Sequence, residues 1–355
     1  MLRTAHSLPV YSGAPVDTLN RPLRDVRLSV TDRCNFRCSY CMPAEVFGPD
    51  FAFLPRAELL TFEELTLVAR ELVALGARTL RITGGEPLVR RDLEQLVALL
   101  RALDSSEALD GEALDIALTT NGSLLAKLAA PLRAAGLNRI TVSLDSLNPA
   151  TFTRMSGSAL PLESVLEGIA AATSAGFINI KLNAVIRRGV NDADVPALAT
   201  FAREGSHTLR LIEYMDVGSS NGWRLDEVVP ASEILSQLHA RYPLEPLAPS
   251  RPGEVANRYR YLDGRGEIGL IASVSAPFCG DCTRARVSAD GHLYTCLFAS
   301  EGSDLKRYLR PAPDAAALRD ALHTRWSARD DRYSEIRDSE TANRLPKVEM
   351  FRVGG

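Results

Sequence analysis

Over the first two-thirds of the chain, short runs of β-branched and aliphatic residues alternate with longer runs whose leucines recur at helical spacing. The short runs are "VRLSVT" from Val26, "TLRIT" from Thr79, "DIALTT" from Asp115, "RITVSL" from Arg139, "INIKLNAVI" from Ile178 and "TLRLIEYM" from Thr208. Each is predicted as a strand. The longer runs are predicted as helices, the clearest being "TFEELTLVARELVALG". There Thr61 and Glu64 stand at capping-box spacing, and Gly76 marks the end. Further helices are expected from near Asp92, Leu124, Leu162 and Asp192. Strands apolar on both faces, joined through helices, imply a parallel sheet with right-handed crossovers. Six such units predict an α/β fold, either a partial (βα)6 barrel of the TIM type or an open doubly wound sheet. The partial barrel is the architecture expected here.

The rhythm breaks after residue 217. "DVGSSNGW" reads as loop, Ala231 to Arg241 as a helix, and "YPLEPLAPSRPG" as a proline-rich linker. The short strands "RYRYLDG", "EIGLIAS" and "ARVSADGHLYTC" follow, the last with a hairpin turn at Asp290-Gly291. A helical segment from Pro313 to Arg329 precedes a polar tail ending in Gly-Gly. The expected organisation is a flexible lead-in over 1–22, the strand–helix region over 23–217, a C-terminal α+β extension over 218–340 that closes the barrel mouth, and a flexible tail over 341–355.

Composition narrows the classes. The 355 residues are 46% hydrophobic and 24% charged, a globular profile, and the net charge of -3 speaks against a general nucleic-acid footprint. No apolar run reaches the roughly 18 residues of a membrane span, and the N-terminus lacks the pattern of a signal peptide. A cytoplasmic address is expected. Thiols stay reduced there, so six cysteines in two groups point to metal rather than disulfides.

The strand ends collect the remaining chemistry, as they do in parallel barrels. They read Thr31-Asp32-Arg33, "TGGEP" from Thr83, "TTNG" from Thr119, "SLDS" from Ser143, and Glu213-Tyr214-Met215; Lys181 and Asn183 lie on the fifth strand. Taken singly, such tetrads are ordinary turn formers. The first strand, however, runs into Cys34, Cys38 and Cys41, spaced C-x3-C-x2-C. Three thiolates that close can hold three corners of an iron–sulfur cube and leave one iron open to a ligand. The second group, Cys279, Cys282 and Cys296, is spaced C-x2-C-x13-C. With His292 it also makes a passable Cys3His zinc site, and spacing alone does not separate the two. Arg284 and Arg286 alternate on one strand and so share a face, which suits a phosphate. Arg27, Arg81 and Lys181 alternate with apolar neighbours in the same way. Any one of them alone would be an ordinary surface charge.

"CNFRCSYC" followed by "GGEP" resembles the signature of the radical S-adenosylmethionine superfamily. A longer ordered set, from about Leu23 to Gly355, resembles one family within it, molybdenum cofactor biosynthesis protein A, the GTP 3',8-cyclases. The set includes "LRDVRLSVTDRCNFRCSYCMP", "RITGGEPLVRRD", "LTTNG", "TVSLDSL", "IKLNAVIRRGVND", "IEYMDVG", "NGW", the second cysteine group and the terminal Gly-Gly. The resemblance implies two [4Fe-4S] clusters, the first on Cys34, Cys38 and Cys41 and the second on Cys279, Cys282 and Cys296. It implies S-adenosylmethionine on the first cluster, met by Tyr40, Gly84, Gly85, Glu86, Ser143 and Met215. It implies GTP on the second, held by Arg27, Arg81, Thr119, Lys181, Arg284 and Arg286, with Arg284 and Arg286 also catalytic. The implied reaction is abstraction of the ribose C3' hydrogen by a 5'-deoxyadenosyl radical, with ring closure onto guanine C8 to give 3',8-cyclo-7,8-dihydro-GTP. A reduced flavodoxin or ferredoxin as electron donor, cyclic pyranopterin monophosphate synthase downstream, a homodimer, and a tail reaching into the site are implied with it.

One position departs from the family pattern: Thr283 stands where the family has Asn. Two other readings stay open on the residues. One is a different radical enzyme with an auxiliary cluster, acting in peptide or sulfatase maturation. The other is a zinc-stabilised nucleotide-binding protein.

Overall fold

The computed structural model describes residues 14–105, 113–251, 253–337 and 346–354. Their strands form one sheet. Strands β1 (Asp25–Ser29), β2 (Thr79–Thr83), β3 (Asp115–Thr120), β4 (Arg139–Ser143), β5 (Lys181–Ile186) and β6 (Thr208–Glu213) lie side by side in chain order, all parallel. The six strand runs read from the sequence are these six. β5 starts at Lys181 rather than Ile178, because Asn179 turns at a φ of 51° and leaves Ile178 exposed.

The C-terminal region widens the sheet rather than forming a separate appendage. Following β7 (Leu244–Leu247) and β8 (Asn257–Tyr261), β9 (Glu267–Ile271) pairs parallel with β6. At the other edge β10 (Arg284–Val287) pairs parallel with β1. Eight parallel strands therefore stand in the order β10-β1-β2-β3-β4-β5-β6-β9. Antiparallel strands cover both edges: β11 (His292–Tyr294) and β12 (Ser303–Asp304) beyond β10, β8 and β7 beyond β9. β7 lies inside the stretch read as a proline-rich linker. As an edge strand it accommodates Pro246, whose missing N–H breaks no interior ladder.

Helices α1 (Phe62–Ala74), α2 (Leu93–Arg101), α3 (Leu125–Ala134), α4 (Pro149–Ser156), α5 (Leu162–Ser174) and α6 (Val195–Glu204) make the crossovers. α1 carries the expected capping box: Glu64 N donates to Thr61 Oγ1 at 3.1 Å and Thr61 N donates to Glu64 Oε2 at 2.7 Å. α4, unmarked in the sequence reading, starts from Asn148, whose side chain accepts from Ala150 N and Thr151 N. α7 (Ala231–Arg241) packs on α6, and α8 (Ala315–Ser327) packs on α1. Arg319 Nε of α8 donates to the buried Glu71 of α1 at 2.7 Å. A continuous apolar core lies between sheet and helices, from Leu23 to Trp326. No helix among the described residues is long and apolar enough to cross a membrane.

Both chain ends meet this frame. Of the expected flexible lead-in, residues 1–13 lie outside the described residues, while Asp17 and Arg21 are buried. Of the expected flexible tail, 341–345 and Gly355 lie outside them. Lys347, Phe351 and Val353 are buried, the last two on short helix α10 (Met350–Val353) after α9 (Tyr333–Ile336). Ion pairs and apolar contacts, invisible in a polar-looking tail, tie these segments down.

Candidate active site

A cavity of about 680 Å³ opens along the sheet. Each site residue named from the sequence lines it: both cysteine groups, Tyr40, Gly84, Gly85, Glu86, Ser143 and Met215, and the basic set with Thr119. The sheet brings together site residues up to 269 positions apart in the chain, Arg27 and Cys296.

The first cysteine group sits on the loop after β1. Arg37 organises that loop, donating from Nη1 to the carbonyl of Cys34 at 2.7 Å and from Nε to that of Phe47 at 2.7 Å. The glycines after β2 let the cysteine loop cross them. Gly85 N donates to Thr31 O, and Glu86 N to Arg33 O, each at 2.8 Å. A Cβ on Gly84 would lie 2.4 Å from Thr31 O, and one on Gly85 2.4 Å from Arg33 O. Here they serve loop-to-loop approach, a use that the sequence reading did not assign. Glu86 accepts from Leu88 N, Thr120 Oγ1 and Asn121 N at 2.7–2.9 Å, so its carboxylate ties the loop after β2 to the end of β3. Burial pushes its pKa up to about 7. Tyr40 donates its hydroxyl to Asp145 at 2.9 Å, with the ring packed on Met155 and Tyr214.

At the opposite side of the cavity, Arg27 of β1 stands level with Arg286 of β10 and Arg81 of β2. Three guanidinium groups thus lie across three neighbouring strands. Like charges so placed repel each other, an arrangement that costs stability unless an anion joins them. Arg81 donates to the hydroxyls of Thr119 and Thr141 at 3.1 and 3.2 Å. Lys181 is level with Thr141. Burial and then neighbouring cations lower the pKa of Arg27; the same causes bring Arg81 to about 9, Arg286 to about 10 and Lys181 to about 8. Among the described residues, Arg284 Nε and Arg286 Nε are buried without a hydrogen-bond partner. Excess buried cation and unused donors describe a site built for an anion rich in oxygen.

The sequence reading missed Arg210, which lines the cavity from β6 with a pKa lowered to about 10 by burial and then by Arg139. Its signal was present: "LRL" in β6 repeats the apolar–Arg–apolar pattern of "VRL" and "LRI". Arg251 was also missed; it pairs with Asp25 at 3.0 Å. It lies within the proline-rich stretch and carries no pattern of its own.

The second cysteine group flanks β10 and β11. Arg284 Nη2 lies 3.4 Å from Cys282 Sγ. Burial opposes the Cys282 thiolate, but Arg284 and Arg329 outweigh it and bring the thiol to about 6. His292 lies outside the cavity lining, with its Nδ1 3.3 Å from Asp290 Oδ1. The zinc alternative thereby loses its fourth ligand. All six cysteines are free, and no three His, Cys, Asp or Glu side chains among the described residues converge closely enough to grip a single ion. Three thiols in each group on one cavity are the donor set that would hold three irons of a [4Fe-4S] cube and leave the fourth open.

Thr283 is buried; its hydroxyl donates to Asp25 at 3.0 Å, away from the thiols. The tail closes one side of the cavity. Phe351 stacks edge-on against Phe47 at 5.0 Å, Glu349 accepts from Ser220 Oγ at 2.8 Å, and Arg27 donates to the carbonyl of Gly354 at 3.1 Å. Gly354 holds a φ of 70°, and a Cβ there would lie 2.0 Å from Thr83.

The family model of the Radical SAM superfamily matches residues 28–202, and that of Molybdenum Cofactor Synthesis C matches residues 207–335. Fold and site thus define a radical S-adenosylmethionine protein with a molybdenum cofactor synthesis region. A GTP 3',8-cyclase of Acidothermus cellulolyticus is 57% identical, over 96% of this chain and 98% of its own length. One of Xanthomonas campestris is 52% identical over 98% of this chain and 100% of its own. The chain belongs to the GTP 3',8-cyclase family. The crystal structure of Streptococcus suis SuiB bound to S-adenosylmethionine is similar at a TM-score of 0.59 and 14% identity, covering 90% of this chain and 68% of that one. That likeness is one of fold.

Proposed function

We propose that the chain converts GTP to 3',8-cyclo-7,8-dihydro-GTP, the first step of molybdenum cofactor biosynthesis. The observation that carries this reading is one cavity lined by two cysteine triads and a row of buried arginines. Cys34, Cys38 and Cys41 hold the first [4Fe-4S] cluster, and Cys279, Cys282 and Cys296 the second. When bound and reduced, the first cluster supplies the electron that splits S-adenosylmethionine into methionine and a 5'-deoxyadenosyl radical. Tyr40, Gly84, Gly85, Glu86, Ser143 and Met215 surround S-adenosylmethionine. Arg27, Arg81, Thr119, Lys181, Arg284 and Arg286 hold GTP, joined by Arg210. Arg284 and Arg286 fix the triphosphate so that ribose C3' faces the radical.

The architecture belongs to the same proposal. Strands β1–β6 form a partial (βα)6 barrel, and β9 and β10 line its open sides. Arg27, Arg81, Thr119, Thr141, Lys181 and Arg210 come from all six strands and line one cavity, which a flat sheet would not enclose. The reading brings with it a flavodoxin- or ferredoxin-type electron donor, cyclic pyranopterin monophosphate synthase as the next enzyme, and a homodimer. Six free cysteines suit a reducing cytoplasm.

The test uses full chain reconstituted without oxygen. Metal analysis should give about eight irons and no zinc per chain. GTP deuterated at C3' should then pass its label to 5'-deoxyadenosine as the cyclised product forms, read by mass spectrometry. Unlabelled 5'-deoxyadenosine with no cyclised product sinks the proposal.

A further inference from the structure

Three charged side chains that the proposed reaction does not use lie against the second cysteine group, Asp17 and Arg21 outside the cavity lining and Arg329 at its margin. Asp17 and Arg21 come from the segment before β1, and Arg329 follows α8. All three are at most 5% exposed. The Asp17 carboxylate sits between the two guanidinium groups, accepting from Arg21 Nε at 2.6 Å and from Arg329 Nη1 at 3.0 Å. Its other oxygen accepts the backbone N–H groups of Leu19 and Arg21. Trp326 lies under the Arg329 guanidinium at 4.8 Å, and its Nε1 donates to the carbonyl of Arg21 at 3.1 Å.

Other donors of the two arginines reach the cysteine backbone, while Arg21 Nη2 is buried without a partner among the described residues. Arg21 Nη1 donates to the carbonyl of Cys279 at 2.7 Å. Arg329 Nη1 donates to that of Cys282 at 2.7 Å, and its Nε to that of Thr295, next to Cys296, at 3.1 Å. Each of the three cysteines is thus held through its own peptide or the one beside it. Asp331 takes part at the margin: its carbonyl accepts from Arg21 Nη1 at 2.9 Å, and its carboxylate lies 3.3 Å from Arg329 Nε. Buried ions are expensive unless their geometry is over-determined, and a purely structural brace could be built from apolar residues at lower cost. Charge placed behind a metal's ligands acts on the metal as well as on the ligands.

We propose that Asp17, Arg21 and Arg329 form a clamp that both positions the second cysteine triad and sets the reduction potential of the cluster it holds. Arg329 makes reduction easier, and Asp17 makes it harder. The inference rests on the reading of that triad as a cluster site. These are positioning residues, since none touches the reacting atoms.

The test is a potentiometric titration of the second cluster by electron paramagnetic resonance, in reconstituted full-length chain. Chelator-driven iron loss is followed alongside. Arg329→Gln removes a positive charge and should shift the midpoint negative, with iron loss from the second site about 10–100 times faster. Arg329→Lys keeps the charge but not the fork, and should hold the midpoint near that of the parent. Asp17→Asn removes a negative charge at nearly constant shape and should shift the midpoint positive. Opposite signs are the signature of charge; a brace alone would loosen the site in every variant. Midpoints that stay put, or that move the same way in Arg329→Gln and Asp17→Asn, overturn the clamp. Should Arg329→Gln not retain its cluster, Asp17→Asn against Arg329→Lys still decides. A parent protein whose second triad binds no iron is a different failure, that of the site reading itself, and metal analysis shows it before any titration.

Discussion

The two cysteine triads have the same ligands in unlike surroundings. The first spans eight residues of one loop, and the side-chain carboxylates around it add to burial in raising its thiols. Burial and then Glu86 push Cys34 up to about 12, and burial and then Asp145 raise Cys38. The second spans eighteen residues across two strands, and its nearest charges are basic. There Cys282 falls to about 6 in spite of burial, although burial and then Asp331 push Cys296 up to about 11. A local turn suffices to gather three thiols. A substrate end that must hold a polyanion needs cations from several strands, and those cations reach the thiols too. On the proposed reading, the first environment serves electron transfer to a sulfonium cation, and the second serves an anionic substrate.

The largest effects should come from exchanging ligands between these roles. Cys38→Ala is expected to abolish 5'-deoxyadenosine formation altogether. Cys282→Ala is expected to abolish the cyclised product while 5'-deoxyadenosine continues to form. Equal loss of both products in both variants breaks the division of labour. Next in size is Arg286→Ala, which removes one charge-assisted contact of about 1.5–3 kcal/mol and so weakens GTP binding about 10- to 100-fold. Calorimetry with GTP checks it; unchanged affinity removes Arg286 from the phosphate grip.

Smaller effects separate the electrostatics directly. In metal-free protein, alkylation of Cys282 should climb as pH rises through about 6, well before that of Cys34, which needs pH near 12. Peptide mass spectrometry after timed iodoacetamide reads both, and parallel profiles contradict the contrast. The smallest effect belongs to Lys181, lowered by burial and then Arg210 from an ordinary 10.5 to about 8. Between those values the unfolded chain binds the extra proton, so this group adds stability to the empty protein as pH rises. Over the same window it ceases to attract phosphate, and GTP affinity should decline a few-fold. Lys181→Met should flatten both trends.

The six parallel strands, the capping box of α1 and both cysteine groups were legible because each is written in local pattern: alternation, spacing, a cap three residues from its partner. The anion site was legible in its arginines, since an Arg between apolar neighbours on a strand faces one way. Arg210 carried that same signal and was passed over. What stayed hidden was relational. That β9 and β10 extend the parallel sheet depends on pairing with strands far away in sequence, which neither "EIGLIAS" nor "ARVSADGHLYTC" announces. The wedge of Asp17 and Arg21 behind the second triad is hidden for the same reason. A segment rich in Pro, Gly and polar residues looks loose until its partner at Arg329 is known. The roles of Gly84 and Gly85 divide similarly: a place beside the cofactor was implied by the resemblance, but not that the cysteine loop approaches them.

The bond between Asp17 and Arg329 joins positions 312 apart. On a ribosome adding about 5–20 residues per second, Asp17 waits about 15–60 s for that partner to be made. The first triad has no such wait, since its three ligands leave the tunnel within eight residues of each other. Synthesis therefore imposes a timetable on this fold: one cysteine group is complete within eight residues, and the brace beside the other closes only after 312 residues have followed Asp17.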